Sequence, residues 1–148
     1  MISDTHGLVR AEALAALRDS ELIIHAGDIG SPEVLVALVK IAPVLAIKGN
    51  NDRDTWARNL PDILSVQVNA IGIHVIHNLN ELKIKPASTE FQVVISGHSH
   101  KPVVATKDGV LFINPGSAGP RRFKLPISVA RLNIQREKRQ AKIVEIEI

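Results

Sequence analysis

Short apolar runs that lead directly into polar side chains constrain this chain more than any other feature of its sequence. Each run has the length of one buried strand, and the residues after it carry oxygen or nitrogen atoms that could bind a ligand. Residues 1–3, 22–26, 44–48 and 93–96 are followed in turn by Asp4-Thr5-His6, Gly27-Asp28, Gly49-Asn50 and Gly97-His98-Ser99-His100. Open α/β sheets place their sites at the carboxyl ends of strands, so we expect these side chains to converge.

The stretches between the first runs are amphipathic, an alternation that is typical of strand-helix-strand units. Leucines and alanines spaced at helical intervals predict a helix over residues 9–19. Ser31, Pro32 and Glu33 supply an N-cap, a proline at the first helical position and an acid in the first turn. A second helix is therefore predicted from this point to about residue 41.

The second half of the sequence has the pattern of strands joined by turns. Residues 63–68 and 73–76 are predicted to form an antiparallel hairpin, and further strands are predicted at residues 91–96, 103–106, 110–113, 127–133 and 143–148. Together the two halves predict an α/β fold, a two-sheet sandwich flanked by helices. A chain of 148 residues is long enough to form one core, so a single domain over residues 1–148 is expected.

Composition excludes several kinds of protein. The chain has no cysteine, which rules out disulfides, a thiolate metal site and a cysteine nucleophile. The formal net charge is +3, but the basic residues around a predicted turn near residues 136–142 are typical of a solvated loop, so a nucleic-acid partner is not expected. No apolar run approaches the length of a membrane span and no signal segment is evident, so we expect a cytoplasmic location without a membrane partner.

The polar residues at the strand ends have the spacing of metal ligands. Asp4 and His6, like His98 and His100, are two positions apart, and residues i and i+2 of an extended segment point to the same side. His77 ends a further apolar run. Seven candidate ligands are too many for one ion, and a set of oxygen and imidazole donors without thiolate suits Mn, Fe, Co, Ni or Zn better than Ca.

The ordered motifs resemble those of the calcineurin-like metallophosphoesterases. The motifs that carry the resemblance span the chain: Asp4-Thr5-His6, Gly27-Asp28, Gly49-Asn50-Asn51-Asp52, His77 and Gly97-His98-Ser99-His100. The short length, the opening Ile2-Ser3-Asp4-Thr5-His6-Gly7 and the segment Asn114-Pro115-Gly116-Ser117 are similar to those of the small YfcE-type phosphodiesterases. A series of five motifs in order is specific, whereas any one of them alone would be weak.

The resemblance implies a division of labour among the candidate ligands. Asp4, His6 and His100 would bind one ion, Asn50, His77 and His98 would bind the other, and Asp28 would bridge the two. It also implies two divalent transition-metal ions about 3.5 to 4 Å apart, manganese foremost and Ni, Fe, Co or Zn as alternatives. A hydroxide held between the ions would attack a small phosphodiester substrate without a covalent enzyme intermediate.

Further roles follow from the same resemblance. Asp28, Asn50 and Asp52 are predicted to be catalytic, with Asp52 either protonating the leaving group or orienting a ligand histidine. Asn51 stands where many metallophosphoesterases have a histidine that protonates the leaving oxygen, and it is predicted to contact substrate instead. Arg121 and Arg122 are predicted to bind the substrate phosphate, with solvent exposure as the open alternative.

Two histidines are left outside the predicted ligand set. His25 lies inside an apolar run and is expected to be a hydrogen-bonded group behind the site, while His74 is expected on the opposite face of its strand from His77. Only residues 1–3 precede Asp4, so the strand that carries Asp4 and His6 is expected to be poorly anchored, or the true start lies upstream.

Two other functions remain open at this point. One is a non-enzymatic interaction scaffold with the same fold, similar to the retromer subunit that lacks an intact metal set. The other is a nuclease of the same superfamily, which would normally carry additional domains to grip its substrate. The complete ligand set and the short chain favour a small-molecule diesterase, and a homo-oligomer is possible.

Overall fold

Two layers of β-strands face each other in the computed structural model, which describes residues 1–83, 85 and 90–148. The helices and strands follow one another as α1 (Ala11–Ala16), β1 (Ile23–His25), α2 (Pro32–Val39), β2 (Val44–Ala46), β3 (Ile63–Val68), β4 (Ile71–Ile76), β5 (Val93–Ile95), β6 (Val103–Lys107), β7 (Val110–Asn114), β8 (Ser128–Gln135) and β9 (Lys138–Glu145). Short 3-10 turns lie at Thr55–Ala57 and Leu79–Glu81.

The first layer is a five-stranded sheet in the order β3-β4-β5-β7-β6. Its three central strands, β4, β5 and β7, run parallel, while β3 and β6 pair antiparallel at the edges. The second layer contains the parallel pair β1-β2 and the antiparallel hairpin β8-β9. The parallel strands deliver their carboxyl ends to one edge of the sandwich, where all the polar motifs lie.

Residues 1–3 join the two parts of the second layer. Ile2 bridges β1, since its N–H donates to Ile24 O and its carbonyl accepts from Ala26 N, both at 3.0 Å. On the other side Met1 pairs with Ala130 of β8, accepting from its N–H at 3.0 Å and donating to its carbonyl at 2.7 Å. The expectation of a poorly anchored segment is therefore wrong, because these few residues are hydrogen-bonded on both sides and buried.

The main core lies between the two layers. Ile24, Ala26 and Ile47 from the second layer pack against Ile73 and Ile95 from the first. Ile2 and Ile23, which alternate with core residues in the second layer, point to its other face. They pack there against Leu17 and Leu38 from the two helical segments. This arrangement confirms the predicted two-sheet α/β sandwich, with the helices outside the second layer.

Element boundaries depart from prediction where the apolar pattern is weak. β4 begins at Ile71 rather than residue 73, because the hairpin turns tightly at Asn69 and Ala70, with Asn69 at φ 55°. β9 begins at Lys138 rather than residue 143, since the basic residues there alternate along a strand as well as flanking the turn at Arg136. Both helices are shorter than predicted. In the described part of the chain no helix is long and apolar enough to cross a membrane.

Candidate metal centre

The candidate ligands stand on strained backbone at the carboxyl edge of the sandwich. Five of the seven have a left-handed φ: Asp4 at 53°, His6 at 47°, Asp28 at 54°, His98 at 69° and His100 at 61°. This conformation costs a non-glycine residue of the order of 1–3 kcal/mol and persists where the surroundings fix it, which is common at functional sites. The strain turns each side chain inward from its loop.

Asp4 lies at the centre of a cluster of imidazoles. Its Oδ1 atom is 4.0 Å from His6 Nε2, 3.8 Å from His77 Nε2 and 3.4 Å from His100 Nε2. The His6 and His100 rings stack with their centroids 5.3 Å apart, and their Nε2 atoms are 3.4 Å from each other. Two imidazole nitrogens that face one another beside a carboxylate oxygen form a group able to surround a cation.

Asp28 and His77 form the adjoining group. His77 Nε2 is 3.3 Å from Asp28 Oδ2, and the same oxygen is 3.9 Å from His6 Nε2. The opposite nitrogen, His77 Nδ1, lies 2.7 Å from the carbonyl oxygen of Ala26, which can only accept, so Nδ1 carries the proton. This hydrogen bond directs Nε2 at the site, and Nε2 is the nitrogen without a proton whenever the ring is neutral.

Burial and neighbouring charges shift the pKa values of the carboxylates and imidazoles in this cluster. Burial raises the pKa of Asp4 to about 6, with the neighbouring charge of Asp28 adding to the rise. Burial acts in the same direction on Asp28, but contacts with His77 and the Asn51 amide outweigh it and lower the pKa of Asp28 to about 2. Burial, with the charge of Arg122 adding to it, lowers the pKa of His100 to about 4.

His77 differs from the other imidazoles in the direction of its shift. Burial alone would lower its pKa, but the contacts with the Asp28 carboxylate and the Ala26 carbonyl, together with the charge of Asp4, raise it. For His6, burial and the charge of Arg122 lower the pKa despite the opposing charge of Asp28. The carboxylates therefore raise the pKa of His77, whereas the lowered pKa values of His6 and His100 favour the neutral form of the ring, which binds metals.

Two buried atoms at the centre fit a bound cation. Asp4 Oδ1 and His77 Nε2 make no hydrogen bond to any described residue, because the separations from their neighbours are long or poorly aligned. A buried polar atom without a partner is costly in a folded protein unless something else satisfies it. Carboxylate and imidazole groups are ligands for divalent transition metals, so these residues fit a divalent cation.

Asn50 and His98 occupy the open side of the site. Both are exposed, and they line a groove together with His77. The His98 ring meets that of His77 edge to face, with centroids 5.3 Å apart, while its backbone N–H donates to Asp4 Oδ2 at 3.1 Å. The structure thus brings all seven candidate ligands to one edge, five of them in close mutual contact and two beside an open groove.

Residues behind the ligands lock the loops together. The N–H of Gly27 donates to His25 Nδ1 at 3.1 Å, so His25 carries its proton on Nε2 and donates to Thr5 Oγ1 at 3.0 Å. Thr5 donates onward to the carbonyl of Ile29 at 2.8 Å. His25 is fully buried and away from the candidate ligand atoms, as expected. His74 lies 3.1 Å from Ser65 Oγ on the outer face of the five-stranded sheet, also as expected.

The segment at residues 114–117 contacts two ligand loops. Asn114 Nδ2 donates to Gly97 O at 2.9 Å and to Ser99 Oγ at 3.0 Å, which holds the loop of His98 and His100. Ser117 Oγ donates to Asp4 O at 2.9 Å. This segment therefore positions ligands rather than forming only a turn.

Sequence reasoning did not single out Ser3, although it contacts a candidate ligand. Its hydroxyl donates to Asp4 Oδ2 at 2.7 Å, which leaves Oδ1 free to face the histidines. A Cβ added to Gly97 would collide with this hydroxyl, so only glycine fits there. The sequence signal for this contact is that Ser3 directly precedes Asp4. This signal is weak, because the side chain before a ligand in a strand usually points to the other face.

Asp52 makes contacts that differ from the predicted ones. Its Oδ2 accepts from the N–H groups of Ile29 and Gly49, both at 3.0 Å, and its Oδ1 accepts from Gly30 N at 2.9 Å. The carboxylate thus ties together the loops that follow β1 and β2. In the described part of the chain these hydrogen-bond partners are all backbone amides, so the role that the sequence predicts for Asp52 stays a prediction.

Asn51 is exposed, and it also contacts Asp28. Its backbone N–H donates to Asp28 Oδ1 at 2.9 Å, and its side-chain Nδ2 donates to Asp28 Oδ2 at 3.1 Å. Arg121 and Arg122 are both exposed, but Arg122 lies near enough for its charge to lower the pKa of His6 and His100. Arg122 therefore lies close to His6 and His100, and the substrate contacts of Arg121 and Arg122 stay predictions.

Comparison with known proteins identifies the class. Residues 1–137 match the family model described as the calcineurin-like phosphoesterase superfamily domain, and the chain belongs to this superfamily. It is 37% identical over 155 residues to a probable metallophosphoesterase of Methanothermobacter thermautotrophicus, an alignment that covers 97% of this chain and 90% of the relative. The resemblance predicted from the motifs is confirmed, and the chain is a metal-dependent phosphoesterase, a hydrolase.

Three solved structures share the fold. An archaeal phosphodiesterase superposes with a TM-score of 0.77 at 25% identity, covering 97% of each chain. The phosphoesterase YfcE of E. coli superposes with a TM-score of 0.67 at 21% identity, covering 99% of this chain and 97% of YfcE. A Vps29 variant of Entamoeba histolytica reaches a TM-score of 0.76 at 20% identity, with 99% and 97% covered. The last two establish the fold alone.

Proposed function

We propose that this protein hydrolyses phosphodiester bonds with two divalent ions held at the carboxyl edge of the sandwich. The observation that carries the proposal is the pair of buried atoms, Asp4 Oδ1 and His77 Nε2, that lack hydrogen bonds among the described residues and lie in a cluster of carboxylates and imidazoles. The archaeal phosphodiesterase of the same fold supports a diester substrate.

The ligands divide as the family motifs imply. Asp4, His6 and His100 would hold one ion and Asn50, His77 and His98 the other, with Asp28 shared between them. Manganese is the first candidate, and Ni, Fe, Co or Zn would suit the same donors. Two such ions supply a nucleophile from water near neutral pH and neutralise the charge that develops on the phosphate oxygens.

The chain's own residues orient the ligands and the substrate. Ser3 and the His98 N–H hold one oxygen of Asp4, so that the other oxygen points at the imidazoles. Asn51 fixes the orientation of Asp28 by donating to both of its carboxylate oxygens. Arg122, whose charge acts on His6 and His100, would bind a non-bridging phosphate oxygen. Asp52 acts as a clamp between loops rather than as a proton donor.

Replacing one oxygen of the shared carboxylate tests the proposal. Asp28→Asn should abolish metal-dependent hydrolysis of bis(p-nitrophenyl) phosphate and reduce the metal content from two ions per chain, because the amide cannot bridge two cations. Asp108→Asn is the matched control, since Asp108 also has a left-handed φ, 51°, but lies exposed in the β6-β7 turn.

The outcomes separate the competing functions. Undiminished turnover in Asp28→Asn would contradict the shared-carboxylate mechanism. If the parent protein binds no metal and hydrolyses no diester, the result would favour the non-enzymatic scaffold. Faster cleavage of duplex DNA than of the small diester would favour the nuclease.

A further inference from the structure

A groove of about 710 Å³ leads away from the open side of the metal centre. It begins at Asn50, His77 and His98 and passes the end of β4 towards the turn at Leu79–Glu81. Its volume is in the range of pockets that hold small organic ligands. A phosphate that reaches His77 and His98 therefore lies at the start of this groove, where one of its ester groups can enter.

The walls of the groove include a preformed apolar face. Ile63 and Ile76 are paired across β3 and β4, and Leu82 packs against Ile76 as part of a separate small apolar cluster on the outer face of the sheet. Ile63 lies on the outer face of β3 and is 50% exposed, so its side chain is accessible from the groove. Ile63 and the half-buried Leu82 supply the accessible apolar surface for an organic group, since Ile76 itself is only 4% exposed.

The charges that line the groove cancel. Lys48 and Lys83 are balanced by Asp62 and Glu81, and Lys48 Nζ is 3.9 Å from Asp62 Oδ1. A groove built for a second phosphate would carry an excess of cations. The balance of charge and the apolar wall together favour a neutral occupant.

From this arrangement we infer that the groove binds one ester group of the substrate, and that this group is uncharged and largely apolar. The inference rests on the proposed function and specifies its substrate class. Phosphodiesters with a neutral organic group are favoured over diesters with a charged one and over polyphosphates, whose additional charge the groove does not match.

Symmetric dialkyl phosphates test the inference, since both of their ester groups are identical and alkoxides leave slowly. Binding of dimethyl, diethyl and dibutyl phosphate to the manganese-loaded protein would be measured by calorimetry. Each methylene moved from water to an apolar surface strengthens binding by up to about fourfold. Dibutyl phosphate should therefore bind at least about tenfold more tightly than dimethyl phosphate.

Two substitutions of exposed aliphatic residues form the matched pair. Ile63→Asp should remove the preference for dibutyl over dimethyl phosphate, because it places a charge in the apolar wall. Val36→Asp, at a position 58% exposed on α2, should leave both the preference and the hydrolysis of bis(p-nitrophenyl) phosphate intact. Ile63→Gln provides a second, uncharged variant, and melting curves establish that each variant is folded.

The results distinguish the groove from the proposed activity. Equal affinity for the dialkyl phosphates, or a preference that survives Ile63→Asp, would overturn the assignment of the groove even if hydrolysis is observed. Affinity that rises with chain length, without metal-dependent hydrolysis of bis(p-nitrophenyl) phosphate, would support the groove as a diester site and contradict the proposed hydrolysis.

Discussion

The two halves of the candidate metal centre differ in how completely the chain arranges them. On the inner side, Asp4, His6 and His100 are in mutual contact, with Asp4 fully buried and held by hydrogen bonds to one of its oxygens. On the outer side, Asn50 and His98 are exposed beside the groove, and only His77 is fixed from behind.

This contrast predicts unequal affinities for the two ions. A preorganised set of ligands loses little side-chain freedom when a metal binds, whereas exposed side chains must be ordered at that moment. The inner ion should therefore bind first and more tightly. The outer ion, which lies next to the groove, should depend more on the metal concentration and on bound substrate.

Two histidines with the same backbone conformation provide the largest test of this contrast. His100→Gly and His98→Gly both keep a left-handed φ, at positions with 61° and 69°, and both remove one imidazole. His100→Gly should lose the tighter ion, and its activity should fall by at least about a hundredfold. Loss of a residue that only supports a ligand lowers activity by about 10- to 100-fold, and loss of a ligand should exceed this. His98→Gly should retain one tightly bound ion.

The measurement is metal content by elemental analysis, followed by hydrolysis of bis(p-nitrophenyl) phosphate over a series of manganese concentrations. Excess manganese should restore part of the activity of His98→Gly by mass action but little of that of His100→Gly. Identical metal content and identical recovery in the two variants would show that the two halves are equivalent.

The convergence of the candidate ligands at one edge could be predicted from sequence because each motif is local. His98 and His100 are separated by one residue after a buried strand, and Asp28 follows a glycine after another, so a strand boundary alone places them at the same edge. The opposite faces of His74 and His77 follow equally from the alternation of a strand. None of these placements depends on knowing how distant loops pack.

The supporting contacts could not be predicted because they join segments far apart in the chain. Asp52 reaches the amides of Ile29 and Gly30, and Ser117 reaches the carbonyl of Asp4 across 113 positions. An aspartate after two asparagines has the same sequence pattern whether it binds a metal, a proton or an amide. The start of β9 at Lys138 could not be predicted for a different reason: its first residues have no apolar face to indicate a strand.

Asn51 offers a smaller effect that sharpens the role of the shared carboxylate. Asn51→Ala removes the side-chain donor to Asp28 Oδ2 but retains the backbone donor to Oδ1. If Asn51 positions Asp28, manganese affinity should fall by about 10- to 100-fold. Asn59→Ala, at an exposed asparagine outside the site, is the control.

The same experiment also tests the substrate contact that the sequence predicts for Asn51. Unchanged manganese affinity together with a lower kcat/KM for the diester would mean that Asn51 contacts substrate in the working enzyme. A proportionate loss of both quantities, recovered at high manganese, would identify it as a positioning residue for Asp28.

The smallest expected effect concerns whether the inner half is organised before any metal binds. His25 joins the loops of Thr5 and Gly27, and burial lowers its pKa to about 3 from the ordinary 6.5. Because the unfolded chain takes up this proton more readily than the folded one, the contribution to stability is complete above pH 6.5. It is lost progressively as the pH falls from 6.5 towards 3.

At pH 5 this difference should remove about 2 kcal/mol of unfolding free energy relative to pH 7. His25→Gln has no proton to take up, so between these pH values it should lose less stability than the parent by about that amount. Urea unfolding of both proteins in the presence of a chelator measures the difference without interference from metal release. Equal losses in the two proteins would mean that His25 is accessible to protons in the metal-free state, and therefore that the inner loops are assembled only when the metal binds.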